Sequence, residues 1–308
     1  MSTPSDFRRY LDPRTLARVH NLELRAKFIV EGLLSGMHRS PFQGSSVEFA
    51  QHRQYVSGDD IRHVDWRVYG RNERIYIKQF QEETNLPLML VVDSSESMGF
   101  GGTWATKQAF KWTKFDHATA AAAALAYLAL HQQDAVGLAV FDQVLARFFR
   151  PVSAPTQWRL VIDELTHIPR WNKTDTGSVL QQVAEKLHHR SLVVVISDFF
   201  DDMDAIVRGL KLLRYRKHEV ITLQVLDHDE IEFPFDDVTM FKGLEEAGEL
   251  LTEPARLRDA YLDRVKDFHD RFGKVCRSMG IDFHRFDSSD PIDVQLSTLL
   301  ADRMSAMS

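Results

Sequence analysis

The chain has one cysteine, Cys276, among 308 residues, so no internal disulfide can form. That cysteine lies in a helical pattern without a nearby histidine for nucleophilic chemistry, and it reads as a buried, inert thiol. No apolar run reaches bilayer length. The longest helical apolar stretch, Ala118 to Leu130, is too short to span, and the N-terminus lacks the apolar segment of a secretory signal. The expected compartment is the cytoplasm. Positive charge is not in excess either: 38 basic residues face 44 acidic ones, a net charge of -6, with no basic stripe of the kind that nucleic-acid binding needs. Also missing are a P-loop, an H-E-x-x-H helix and a G-x-S-x-G elbow. Apart from one Ala-rich helix there are no low-complexity tracts, and there are no internal repeats.

What remains is a globular composition, 44% hydrophobic and 27% charged, able to bury a sizeable core as one large domain or a domain with an appendage. The organising stretch is Leu86 to Gly99. Its aliphatic run Leu86 to Val92 predicts a fully buried strand whose carboxyl end presents Asp93, Ser95 and Ser97, a D-x-S-x-S loop. One carboxylate and two hydroxyls are hard oxygen donors of low total charge, suited to Mg²⁺ or Mn²⁺ rather than Zn²⁺. Three donors do not complete an octahedron. Two other places offer oxygens: Thr174, on the loop before a helical pattern, and Asp198, at the end of a second buried strand, Leu192 to Ser197. The alternative for Asp93 to Ser97 is a capped helix start, since Asp and Ser are common N-caps.

Taken in order, Pro13 to Leu34 carries helical spacing, with Gly32 and Gly36 expected to end the helix. Val47 to Arg71 is dense in charge and aromatics. Its Arg53, Arg62, Trp66, Arg67 and Arg71 read either as a clamp of ion pairs that docks the arm or as a groove receiving an anionic group of a partner. Ile75 to Phe80 alternates like a half-exposed strand. A helix is expected over Lys107 to His131. Further strands are expected at Val136–Phe141, Leu145–Phe149, Val220–Leu226 and Ile281–Phe286, separated by helices at Gln157–Leu165, Thr176–His188, Met203–Tyr215, Ala255–Met279 and Pro291–Met304. Such alternation predicts an α/β fold, a doubly wound, mostly parallel sheet with helices on both faces and its ligand site at the strands' carboxyl ends. The acidic insertion from Asp227 to Pro254 reads as a solvated hairpin over Phe233, Phe235 and Phe241, or as a partner-facing lip. The domain division expected is an N-terminal helix and arm, 1–84, on a core of 85–308.

The order D-x-S-x-S, then Thr174, then the strand-terminal Asp198 resembles the metal-ion-dependent adhesion site of von Willebrand factor A domains. Three longer motifs, Val30 to Phe42, Tyr55 to Arg67 and Lys78 to Asn85, resemble a bacterial von Willebrand A-like family catalogued as domain of unknown function 58. That resemblance implies a von Willebrand A-like fold, a divalent ion on Asp93, Ser95, Ser97, Thr174 and Asp198, and a MoxR-type AAA ATPase as partner. The expected activity is a non-enzymatic, metal-dependent protein interaction module that accepts a partner's carboxylate. A metal-dependent phosphohydrolase is the enzymatic alternative. Against it stand Ser95, where a second carboxylate is usual, and the want of a lysine to neutralise a phosphoryl group. A scaffold with a vestigial site is the third reading.

Overall fold

A computed structural model describes residues 13–19, 21–37, 52–54, 76–78, 86–103, 111–167, 173–237, 239–242 and 249–307. By its contacts the chain forms two compact units, Met1–Arg39 with Leu86–Ser308, and Ser40–Asn85. In the smaller unit β1 (His52–Gln54) pairs antiparallel with β2 (Tyr76–Lys78). The rest of the expected charged arm, including Arg62, Trp66, Arg67 and Arg71, lies outside the described residues.

The larger unit contains β3 (Leu88–Asp93), β4 (Val136–Phe141), β5 (Leu145–Val152), β6 (Leu192–Ser197), β7 (Glu219–Leu226), a hairpin of β8 (Thr239–Lys242) and β9 (Glu249–Thr252), and β10 (Asp282–Asp287). Its helices are α1 (Leu22–Met37), α2 (Lys114–His131), α3 (Pro155–His167), α4 (Thr176–Lys186), α5 (Met203–Tyr215), α6 (His228–Glu232), α7 (Pro254–Ser278) and α8 (Ile292–Met307). The main sheet has six strands in the order β10-β7-β6-β3-β4-β5, parallel throughout except for β5, which returns antiparallel to β4. The mixed α/β fold with a mostly parallel sheet is therefore as the strand and helix alternation predicts. Asp142 makes the turn into β5 by accepting the Val144 N–H at 3.1 Å.

Alternation along β3 shows why its whole run is apolar. Leu88, Leu90 and Val92 enter one core with α1, α2, α3 and α8, while Met89 and Val91 enter the other with α4, α5 and α7. A strand covered on both faces has no position for a polar side chain until it ends. The Ala-rich α2 lies inside the first core over most of its length. Ala118 and Ala120 to Ala123 have no exposed surface, and their small side chains leave room for α1 on the far side.

Two helix boundaries differ from expectation. The run from Pro13 breaks after one turn (Pro13–Leu16), and α1 starts anew at Leu22 because the Asn21 side chain accepts the Leu24 N–H at 3.2 Å. That helix continues past Gly32, which is buried, to Met37. The second helix starts at Lys114 rather than Lys107. Thr113 and Asp116 form a reciprocal capping box there, and Lys114 N–H donates to Phe100 O at 2.9 Å. Residues 104–110 are outside the described set. The acidic insertion contains the expected hairpin, with Thr239 opposite Thr252, and Phe233 is buried against Phe235 and Tyr261.

On the second face α4 and α5 touch through glycine. A Cβ on Gly177 would lie 2.6 Å from the Ala205 Cβ, and one on Gly209 would lie 2.6 Å from the Leu180 Cβ. Gly177→Ala should therefore force these helices apart and lower stability by ~1–3 kcal/mol. Urea unfolding with an unchanged m-value and a lower midpoint is the expected result.

Candidate functional site

The sequence of strands reverses direction between β3 and β6. From β3 the chain builds outward through β4 and β5, then returns to the other side of β3 with β6. The crevice beyond the carboxyl ends at such a switch point is where open α/β sheets bind ligands. Asp93 ends β3, and Ser197 and Asp198 stand at the end of β6; all three side chains are buried. The loop after β3 is pinned to β4, since both the N–H and the hydroxyl of Ser94 donate to Phe141 O, at 2.7 and 2.9 Å. A short 3-10 turn, Glu96–Gly99, then folds Ser97 back, so the hydroxyls of Ser95 and Ser97 lie 3.1 Å apart.

Both oxygens of Asp93 are engaged. One accepts the Ser95 N–H at 2.8 Å, and the other accepts the Ser197 hydroxyl at 2.6 Å. Ser197 in turn accepts the Phe199 N–H at 2.9 Å. Phe199 holds a left-handed backbone with φ of 59°, unusual for a bulky residue, and its buried ring packs on Phe272 at 4.8 Å. This kinked exit from β6 directs Asp198. The Asp198 carboxylate accepts the Phe200 N–H at 3.1 Å, and its carbonyl accepts from Gln224 at 2.8 Å, which is itself held by His269.

One cation is already in place. The ammonium of Lys114, fully buried, donates to Asp198 Oδ2 and to Glu230 Oε1, each at 2.8 Å. The expectation that no lysine stands with these carboxylates is thus corrected. A lysine at the first position of a helix opposes the helix dipole by about 0.3–1 kcal/mol. Two charged contacts at hydrogen-bond distance outweigh that, since a single pair at 4 Å is worth roughly 4 kcal/mol at an effective dielectric of 20. Burial alone depresses the Lys114 ammonium, but Asp198 and then Glu230 override it and hold the group above the ordinary lysine range. Asp93 has no such partner. Burial first, and then the negative charge of Asp198, push its carboxyl up to about 7, against the opposing hydrogen bonds from Ser197 and Ser95.

Of the residues proposed from sequence, Asp93, Ser95 and Ser97 are joined by hydrogen bonds, and Asp198 lies near enough to perturb Asp93. Thr174 stands on the loop before α4, its hydroxyl 3.2 Å from that of Thr176. That loop is tied to the end of β4 by Asp175 N–H to Asp142 O at 3.3 Å. Arg53 sits on β1, in the smaller unit. Ser197, Lys114 and Glu230 also belong to this centre, although no motif in the sequence marks them. The one available signal for Lys114 was its position: a lysine opening an Ala-rich, largely buried helix needs a buried counter-charge. Asp227, His228 and Asp229 are structural here, because Asp227 caps α6 and accepts the Gly102 N–H at 3.1 Å, while His228 pairs with Asp287. Cys276 is buried and its thiol is pushed up to about 11 by burial, as an inert core group should be.

Among the described residues no three His, Cys, Asp or Glu side chains converge as a metal cluster. An ion at this site would rest on the Ser95 and Ser97 hydroxyls with Asp93, a hard-oxygen set compatible with Mg²⁺ or Mn²⁺. No described helix is long and apolar enough to cross a membrane.

Fold and site together define a doubly wound α/β protein with a polar centre at its switch point. The chain belongs to the family described as protein of unknown function DUF58, whose profile matches residues 51–270. It is 31% identical over 228 residues to the uncharacterized proteins Mb1516 of Mycobacterium bovis and Rv1480 of Mycobacterium tuberculosis, covering 72% of this chain and 68% of theirs. Solved structures similar to it include BatB from Bacteroides thetaiotaomicron and an aerotolerance-related membrane protein from Bacteroides fragilis. They are 14% and 16% identical, each with a TM-score of 0.45, covering 71% of this chain and 98% of theirs.

The raised Asp93 value fixes a sign. The folded protein keeps a proton that the unfolded chain releases near 3.8, so this contribution is complete below 3.8 and is lost as pH rises through about 7. In EDTA, Asp93→Asn should match wild type at low pH, gain on it progressively as pH rises from about 4 to about 7, and keep a constant lead above that. Paired thermal melts from pH 4 to 8 read this difference, and parallel curves would contradict it.

Proposed function

We propose that the protein is a non-enzymatic, divalent-ion-dependent interaction module of von Willebrand A-like type. The observation that carries this reading is the assembly of Asp93, Ser95 and Ser97 on one turn at the switch point of the sheet. Neutral hydroxyl donors would leave a bound Mg²⁺ or Mn²⁺ electrophilic, able to take a carboxylate from a partner protein. Asp93 and the two serines would hold the ion, with Thr174 and Asp198 the further oxygens that the family resemblance implies, directly or through water. By family resemblance the partner is a MoxR-type AAA ATPase, with the cytoplasm as the place of action and complex assembly or remodelling as the process.

Lys114 gives the phosphohydrolase reading a cation that the sequence had not suggested. Set against it, both Asp93 oxygens already accept hydrogen bonds and the side chain is buried, a poor disposition for nucleophilic attack. A phosphatase assay with and without Mg²⁺ distinguishes the two: turnover abolished by Asp93→Ala would favour the enzyme.

The direct test is thermal unfolding of wild type, Asp93→Ala and Ser95→Ala in EDTA, Mg²⁺ and Mn²⁺. A ligand that binds only the folded state at about ten times its Kd stabilises by about 1.4 kcal/mol. Wild type should show that rise, and Asp93→Ala should lose it. No response in wild type would remove the ion from the account. Capture of a MoxR-type ATPase in Mg²⁺ but not in EDTA would support the partner assignment.

A further inference from the structure

Resting on the divalent-ion reading above, we infer that Lys114 sets how strongly this site binds its ion, by withholding Asp198. The two carboxylates at the switch point are in different states. Asp93 accepts the Ser95 N–H and the Ser197 hydroxyl and meets no cation, whereas Asp198 is held by an ammonium that Glu230 also grips from α6. The lysine is not a surface side chain that swings away. Its side chain has no solvent exposure, its backbone N–H is bonded to Phe100 O, and the rings of Phe100 and Phe200 flank the ammonium at 5.9 and 5.3 Å. The other Asp198 oxygen accepts the Phe200 N–H. An ion entering beside Asp93 therefore meets one carboxylate that has no cationic partner, the hydroxyls of Ser95 and Ser97, and a second carboxylate already paired with Lys114.

Lys114 is thus a specificity-determining residue of the site. With Asp198 withheld, an ion is held weakly by the protein alone and keeps much of its charge, so an incoming carboxylate contributes a large share of the binding. Ion affinity and partner affinity then rise together, since such coupling is reciprocal. The chemical class of partner that fits is an exposed aspartate or glutamate on another protein, bound only with the ion.

The test is Mn²⁺ affinity by isothermal titration for wild type, Lys114→Met, Asp198→Asn and the double variant, with Glu230→Gln as a companion. Removing the ammonium should tighten Mn²⁺ binding by about tenfold or more. Most of that gain should vanish in the double variant, because the carboxylate that Lys114 released is gone. Glu230→Gln leaves the ammonium to Asp198 alone and should weaken binding, which keeps the inference testable even if Lys114→Met does not fold. If wild type binds Mn²⁺ and Lys114→Met binds no tighter, or its gain persists undiminished without Asp198, withholding is wrong while the ion reading stands. Tighter binding by Glu230→Gln would likewise overturn it. If neither wild type nor Lys114→Met binds at millimolar Mn²⁺, the ion reading itself fails and this inference with it.

Discussion

A sheet strand covered by helices on both faces can carry polar chemistry only where it stops. That constraint governs β3 and β6, whose aliphatic side chains fill two cores at once. Side by side in the sheet, the two strands deliver Asp93, Ser197 and Asp198 to the same end. Two neighbouring carboxylates removed from water are unfavourable unless each is compensated. Hydroxyl and backbone N–H donors serve Asp93, and a buried ammonium serves Asp198.

The compensation binds distant parts of the chain together. Lys114 opens the helix after the Asp93 loop, while Glu230 lies on a short helix that follows β7. Glu230 has two tasks: one oxygen closes the capping box by accepting the Asp227 N–H at 2.8 Å, and the other accepts from Lys114. Behind Asp198, Gln224 on β7 and His269 on α7 extend the hydrogen bonding into the second core. Burial lowers His269 to about 4, so the ring stays neutral at physiological pH and its Nδ1 can face the Gln224 oxygen as a donor without adding charge. The centre is therefore held by the elements around it, and its charges are distributed so that Asp93 has no cationic partner while Asp198 and Glu230 share one.

The sequence made the sheet legible because the signals were local: apolar runs, a turn-forming Asp142, and an Asp and Ser at the ends of β3 and β6. The D-x-S-x-S loop was legible for the same reason. What the sequence hid was pairing over long separations. Nothing near Lys114 shows that its partners are Asp198 and Glu230, 84 and 116 residues away. Ser197 was visible as the last strand residue, but only the register of β3 against β6 brings it to Asp93. The helix starts were misread where a cap decided the matter: Asn21 and Thr113 each begin a helix inside a stretch whose periodicity alone continues through them.

The outer strand β5 closes the sheet in a particular way. Among the described residues its hydrogen-bonded neighbour is β4, with two irregularities of register. Pro151 has no N–H to offer, and Arg147 and Arg150 are exposed along the same strand. Each of these discourages another strand from adding to the edge. Association by sheet extension is therefore disfavoured on this side, so copies of the protein would be kept from stacking into fibres there. Any contact made at this edge would therefore run through side chains, where specificity can be encoded, rather than through backbone, which is the same in every protein.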